Sequence, residues 1–214
     1  MMRILPFPAG SLRPATGAAA LAALALLGGC ALTPGRPTIS YDLGPAAGAP
    51  PSAATAGTAP AAHALPPLRV TQTDSPAWLD SNSIFYRLRY AQVERLQPYA
   101  TQRWVMSPAR LLDERLREAV AARGTLAWQG NTGAPALHVD LITFEQVFDG
   151  ESASHGLIRA RATVYRERMI GQKTFVVEQP APTPDGAGGV KALAAGSDAL
   201  VGAMLDWVAT LPLN

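Results

Sequence analysis

Between Gly44 and Pro67 the chain is built almost entirely of Ala, Pro, Gly, Ser and Thr, with no charged residue and, His63 apart, no large side chain before Leu65. Such a segment cannot bury enough apolar surface to offset its ordering entropy. Any packed core must therefore come from the sequence around it. The 147 residues after Pro67 are enough for one good core. As a loose coil the stretch would span ~25–30 Å, and as polyproline II ~70 Å. It reads either as a tether or as a loop within a domain. The second reading follows from Thr38-Ile39-Ser40-Tyr41-Asp42-Leu43, which alternates like a short strand and ends in a turn at Gly44-Pro45. If that strand belongs to the domain, the tether is only Ala31 to Pro37, at most ~25 Å long.

The N-terminal thirty residues have the zones of a secretory signal: Arg3 and Arg13, an apolar run from Ala18 to Leu27, then Gly28-Gly29-Cys30. Ten apolar residues span ~15 Å as a helix, about half a bilayer core. A permanent membrane span therefore fits poorly, and residues 1–29 are expected to be removed. Leu27-Gly28-Gly29-Cys30 resembles the lipobox of bacterial lipoproteins. Cys30 is also the only cysteine, so it has no internal disulfide partner. It is the expected attachment site for an S-diacylglycerol and an N-acyl chain, the only cofactor-like group expected.

Removing residues 1–29 leaves 16 basic and 16 acidic side chains, 14 of the basic ones Arg. A neutral chain argues against nucleic acid as its partner.

After Pro67, Leu68–Gln72 and Ile84–Tyr90 read as strands. Ser107-Pro108 opens a helix to Arg123 with Leu112, Leu116, Ala119 and Val120 on one stripe and Arg110, Asp113, Glu114, Arg117 and Glu118 on a solvated face. Leu137–Phe148 and Ser154–Met169 read as a hairpin around Asp149-Gly150-Glu151. The apolar face switches from Leu137, Val139 and Leu141 to Ile142, Phe144 and Phe148, so either both faces are covered or a bulge shifts the register. Gln172–Glu178 is a further strand after a turn at Gly171, Pro180–Gly189 a loop, and Val190–Thr210 a closing helix. The expected fold is a single α+β (α/β) domain, a largely antiparallel or mixed sheet packed against two helices.

No catalytic constellation is evident. No serine sits in a Gly-x-Ser-x-Gly elbow, and Gly188-Gly189-Val190-Lys191 lacks the spacing of a phosphate loop. His138 and Asp140 share a strand face, but no third ligand is apparent, so neither a catalytic nor a metal site is expected. Asp140, Glu145, Asp149 and Glu151 read as solvated carboxylates. The aromatic group Trp78, Tyr99, Trp104 and Trp128 reads as core or as an exposed contact surface.

Tyr41-Asp42-Leu43-Gly44, Ile84-Phe85-Tyr86-Arg87, Tyr99 with Arg103-Trp104, Pro108-Ala109-Arg110-Leu111-Leu112, Leu141–Phe148 and a last helix carrying Trp207 follow one another in this order. In that order they resemble the ABC-type transport auxiliary lipoproteins, the PqiC-like family of intermembrane lipid transport systems. The resemblance implies a non-enzymatic periplasmic subunit beside a mammalian-cell-entry (MCE) type tunnel protein, an inner-membrane permease and an ATPase, moving phospholipid or another hydrophobic compound between the membranes. A ring of copies is one arrangement of such a docking subunit, and Tyr99, Arg103 and Trp104 are the candidate partner interface. The resemblance favours the short tether, residues 30–37, followed by a domain over 38–214 with 44–67 as a disordered insertion. Ala31 rather than Asp after the cysteine implies sorting to the inner leaflet of the outer membrane. A lipid-binding periplasmic carrier is the alternative.

Overall fold

The computed structural model describes residues 37–46 and 65–213. The expected signal segment, Cys30, the tether up to Arg36 and most of the Ala/Pro stretch lie outside the described residues. Among those described, the order is β1 (Ile39–Tyr41), β2 (Leu65–Val70), a 3-10 turn (Ala77–Leu79), β3 (Ser83–Leu88), β4 (Leu96–Trp104), α1 (Pro108–Arg123), β5 (Gly124–Leu126), β6 (Ala136–Gly150), β7 (Ala153–Tyr165), β8 (Met169–Pro180) and α2 (Gly186–Ala209). The expected α+β class holds: one mixed sheet packs against two helices.

The fifteen-residue β6 is the spine of the sheet. Along one side it pairs antiparallel with β7, which pairs antiparallel with β8. Along the other side, β2 pairs parallel with its start (Val70 opposite Leu137) and β3 parallel with its end (Leu88 opposite Phe148). Beyond β3 come antiparallel β4 and then parallel β1, while β5 extends the sheet beyond β2.

The ambiguous patterning of β6 is resolved by a bulge. Pairing steps from Leu141 opposite Ala160 to Thr143 opposite Arg159, which leaves Ile142 without an opposite residue. That extra residue turns Phe144 to the face already occupied by Leu137, Val139 and Leu141. All four are buried, with Ile158, Ala160, Ala162 and Val164 of β7 beside them. The turn after β7 falls at Arg166–Arg168, earlier than the expected Gly171, so β8 is longer than the alternation suggests.

Helix α1 starts with proline in its first turn, as expected, although the Ser107 hydroxyl makes no capping bond. Leu112, Leu116 and Val120 are buried, but the opposite face is not all solvated. Asp113 is buried because the chain after β2 crosses this flank: it accepts from Arg117 at 3.1 Å and from the Thr73 hydroxyl at 3.4 Å. Arg117 also donates to Val70 O at 2.8 Å.

Helix α2 begins four residues before the expected Val190. Its glycines read as loop, yet they are needed for close packing: a Cβ on Gly189 would stand 2.0 Å from Gln146 Oε1 and one on Gly188 2.0 Å from Thr183 O. The helix is long and apolar enough to cross a membrane by composition, but it buries Leu193, Leu200, Met204 and Leu205 in the core.

Asp185 caps this helix by accepting from Gly188 N at 2.7 Å, and the Thr183 hydroxyl donates to it at 2.9 Å. The Gly188 N–H, then the Thr183 hydroxyl, hold its carboxyl below the usual range. A carboxyl depressed in the folded chain contributes stability above its unfolded value of about 4, lost as pH falls through the lower folded value. Asp185→Ala should therefore melt below wild type at pH 7, and the gap should close in strong acid. Thermal melts between pH 7 and pH 2 check this, and a gap independent of pH would contradict it.

Candidate functional site

The expected interface residues lie along β4, where the sheet approaches its edge. Strand β1 covers β4 only at Gln102, Arg103 and Trp104. From Leu96 to Thr101, β4 has no further strand neighbour on that side among the described residues. Of the three expected residues, Arg103 is exposed. Tyr99 is half-buried: its ring packs 4.6 Å from Tyr86 and its hydroxyl donates to Gln146 Oε1 at 2.8 Å. Burial pushes its phenol far above the usual value, with smaller contributions from Tyr86 and Asp185, so it stays neutral.

Trp104 corrects the expectation. It is 1% exposed, stacked edge-on against Phe144 with ring centroids 5.7 Å apart, and belongs to the core. Strand β4 bulges against β3 between Pro98 and Arg103, which brings both Tyr99 and Trp104 to the helix-covered side. The exposed side chains at this edge include Pro98, Ala100, Arg103, Ile39 and Val105. Of the other aromatics, Trp128 is 75% exposed, whereas Trp78 lies against Phe85 at 5.4 Å.

A second feature joins this edge to the helices. The buried Arg115 of α1 donates to Asp198 of α2 at 2.5 Å, to Leu43 O at 3.1 Å and to Gly44 O at 2.5 Å. One guanidinium thus ties the segment after β1 to both helices. Beside it, a cleft of about 930 Å³ runs between the helices, with apolar walls from Ala119, Val201 and Leu205 and charge at its rim from Glu118 and Arg123. Arg123 bridges across to Asp206 at 2.6 Å. Arg115 lay hidden in the sequence, since it sits between expected surface positions of α1. Its fork is suited to one carboxylate and two carbonyls.

The remaining polar candidates separate. Glu145 is buried, not solvated: Arg87 donates to it from Nε at 2.8 Å and from Nη2 at 3.1 Å, and from Nη1 to Val93 O at 2.7 Å. The Glu145 carboxylate, expected to favour ionisation of its partner, raises the Arg87 pKa further. His155 contacts Asp149 at 2.9 Å, next to the turn. His138 lies 3.5 Å from Asp140 and, unforeseen, 3.5 Å from Asp74 in the loop after β2. Sixty-four residues separate Asp74 from His138, and no spacing rule reaches that far. Ser197 is buried and donates to Leu193 O at 2.8 Å within its own helix.

Comparison with solved structures agrees with this architecture. A Xanthomonas campestris protein of the DUF330 family is similar with a TM-score of 0.63 at 20% identity, covering 71% of this chain and 88% of its own. An uncharacterized protein is similar with a TM-score of 0.59 at 16% identity, covering 81% of this chain and 99% of its own. At those identities the likeness is one of fold. No curated protein matches the sequence. The family model for the ABC-type transport auxiliary lipoprotein component matches residues 41–204, from the end of β1 into the last helix, and the chain belongs to that family.

Proposed function

We propose that this auxiliary lipoprotein is a non-catalytic docking or gating subunit, held by acyl chains on Cys30 at the inner leaflet of the outer membrane. There it receives the far end of an MCE-type tunnel whose permease and ATPase sit in the inner membrane. The cargo class is phospholipid or another hydrophobic compound. The observation that carries this reading is the placement of β1. It is hydrogen-bonded into the sheet at Ile39 to Tyr41, and the residues after it are clamped by Arg115. With Cys30 as anchor, only residues 31–37 separate lipid from fold, a reach of at most ~25 Å. A leash that short suits a component that must hold a position at a membrane, and suits poorly a carrier that shuttles across the periplasm.

The docking surface that fits best is the edge of β4 from Leu96 to Thr101, next to the exposed Arg103 side chain, where an extended segment of a partner can add to the sheet. A ring of copies around a tunnel mouth would present several such edges. A photocrosslinker at Arg103 should capture the MCE-type protein in cells expressing the whole system. Absence of both crosslinking and co-purification would remove the main support for the reading.

The cleft between the helices favours one alternative, a lipid-binding carrier, since its volume falls in the range of small-molecule sites. Native mass spectrometry of the purified protein separates the two. A stoichiometric lipid released by filling the cleft through Ala119→Trp would favour the carrier.

A further inference from the structure

We propose that Asp74, His138 and Asp140 form a binding site for a divalent transition-metal ion of the Zn2+ class. The three groups come from two elements brought together by the sheet. Asp74 lies beside β6 through a parallel bridge to Asp140, with Asp74 N donating to Val139 O at 2.9 Å and Leu141 N to Asp74 O at 2.8 Å. Both carboxylates are therefore mounted on hydrogen-bonded backbone, immediately before the β6 bulge. One potential ligand atom from each residue lies within 4.8 Å of the other two.

The hydrogen bonds around the histidine point to the ligand. The Thr71 hydroxyl lies 3.3 Å from Leu137 O and 3.0 Å from His138 Nδ1, so it holds the Nδ1 side of the ring in place. The other ring nitrogen, Nε2, lies on the side of the carboxylates, 3.5 Å from an oxygen of each. With the ring proton on Nδ1, three acceptors converge there, an arrangement that a bound cation stabilises. Ligands bound tetrahedrally at 2.0–2.2 Å are about 3.4 Å from one another, which matches the two observed spacings. A histidine whose other nitrogen is fixed by a neighbour is the usual form of a metal ligand. Arg161 takes only Asp140 Oδ2, at 3.0 Å, which leaves Oδ1 for the ion. One imidazole among the donors favours Zn2+ or its neighbours over Mg2+ or Ca2+. A cleft of about 200 Å³ lined by Asp74, Asp140 and Ile142 opens beside the two carboxylates, with space for a water or a partner's ligand.

The test uses the full-length lipoprotein in detergent, without a polyhistidine tag and stripped by chelator. Calorimetric titration with Zn2+ should show one ion per chain at micromolar affinity, and Co2+ should give the visible absorption of a low-coordinate site. His138→Gln and Asp74→Asn should each weaken binding at least tenfold and abolish the Co2+ band, and Thr71→Val should weaken it about tenfold. His155→Gln should leave it unchanged. If His138→Gln fails to fold, Asp74→Asn decides alone, since that side chain is 68% exposed. Absence of saturable Zn2+ binding, or binding that survives Asp74→Asn, would overturn the proposal and leave the cluster as a histidine beside two carboxylates.

Discussion

Arg115→Met is expected to destabilise the domain by about 3 kcal/mol, the lower end of the range for breaking a buried charge pair. The arginine is 5% exposed, and its guanidinium serves the Asp198 carboxylate and two backbone carbonyls, Leu43 O and Gly44 O. Methionine fills a similar volume, so the loss isolates the polar interactions rather than opening a cavity. Asp198 keeps some contact with water, which is why the upper end of the range is not reached. The damage should be uneven. Released from the clamp, the segment after β1 should exchange its amide hydrogens faster than β6 or β7, whose pairing does not depend on Arg115. Arg115→Lys should recover less than half of the stability, because a single ammonium cannot reach all three acceptors with the geometry of a planar fork. Urea denaturation checks the total and hydrogen exchange the distribution. A loss below ~1 kcal/mol would mean that β1 is held by its strand pairing alone.

How much of this was legible in the sequence depends on the range over which each signal acts. The β6–β7 hairpin and α1 show their periodicity in a dozen residues, because one face of each meets a continuous core. Strand β4 was missed for a local reason. Leu96-Gln97-Pro98-Tyr99-Ala100-Thr101 contains a proline and few β-branched residues, and the bulge that follows breaks the alternation. The start of α2 was hidden because Gly186, Gly188 and Gly189 carry a loop signature, whereas their small size answers Gln102, Thr183 and Gln146 in turn, residues outside the helix. Trp104 could not be assigned to core or interface from its type, since aromatic residues serve both. Arg115 and Asp74 were unreadable for a different reason: their roles exist only through partners more than sixty residues away. The family resemblance reached further than any of these local signals, and it placed Tyr41 at the start of the fold, where β1 ends.

Cys30→Ser should move the protein from the membrane fraction to the soluble fraction without unfolding it. The two halves of that expectation rest on different physics. Each acyl methylene withdrawn from water contributes ~0.8 kcal/mol, so two or three chains hold a protein to a membrane essentially without release. Serine lacks the thiol that receives the first lipid, and the chain after residue 29 carries no net positive charge to replace it. The fold, by contrast, begins at Thr38 and draws its core from β2 through α2, so the far-ultraviolet spectrum and melting temperature should match wild type. Detergent partitioning checks the first half, and unchanged partitioning into the detergent phase would sink the assignment of Cys30. Transport should be lost as well, although the domain is folded and exported, because the proposed role is to hold one end of a path at a fixed height. Inserting about twenty Gly/Ser residues between Ala31 and Pro37 separates anchoring from positioning. As a flexible coil the insert adds roughly 25 Å of reach. If the short leash sets the height of the β4 edge above the membrane, the lengthened protein stays in the membrane fraction yet transports poorly. Full transport would show that attachment alone is required.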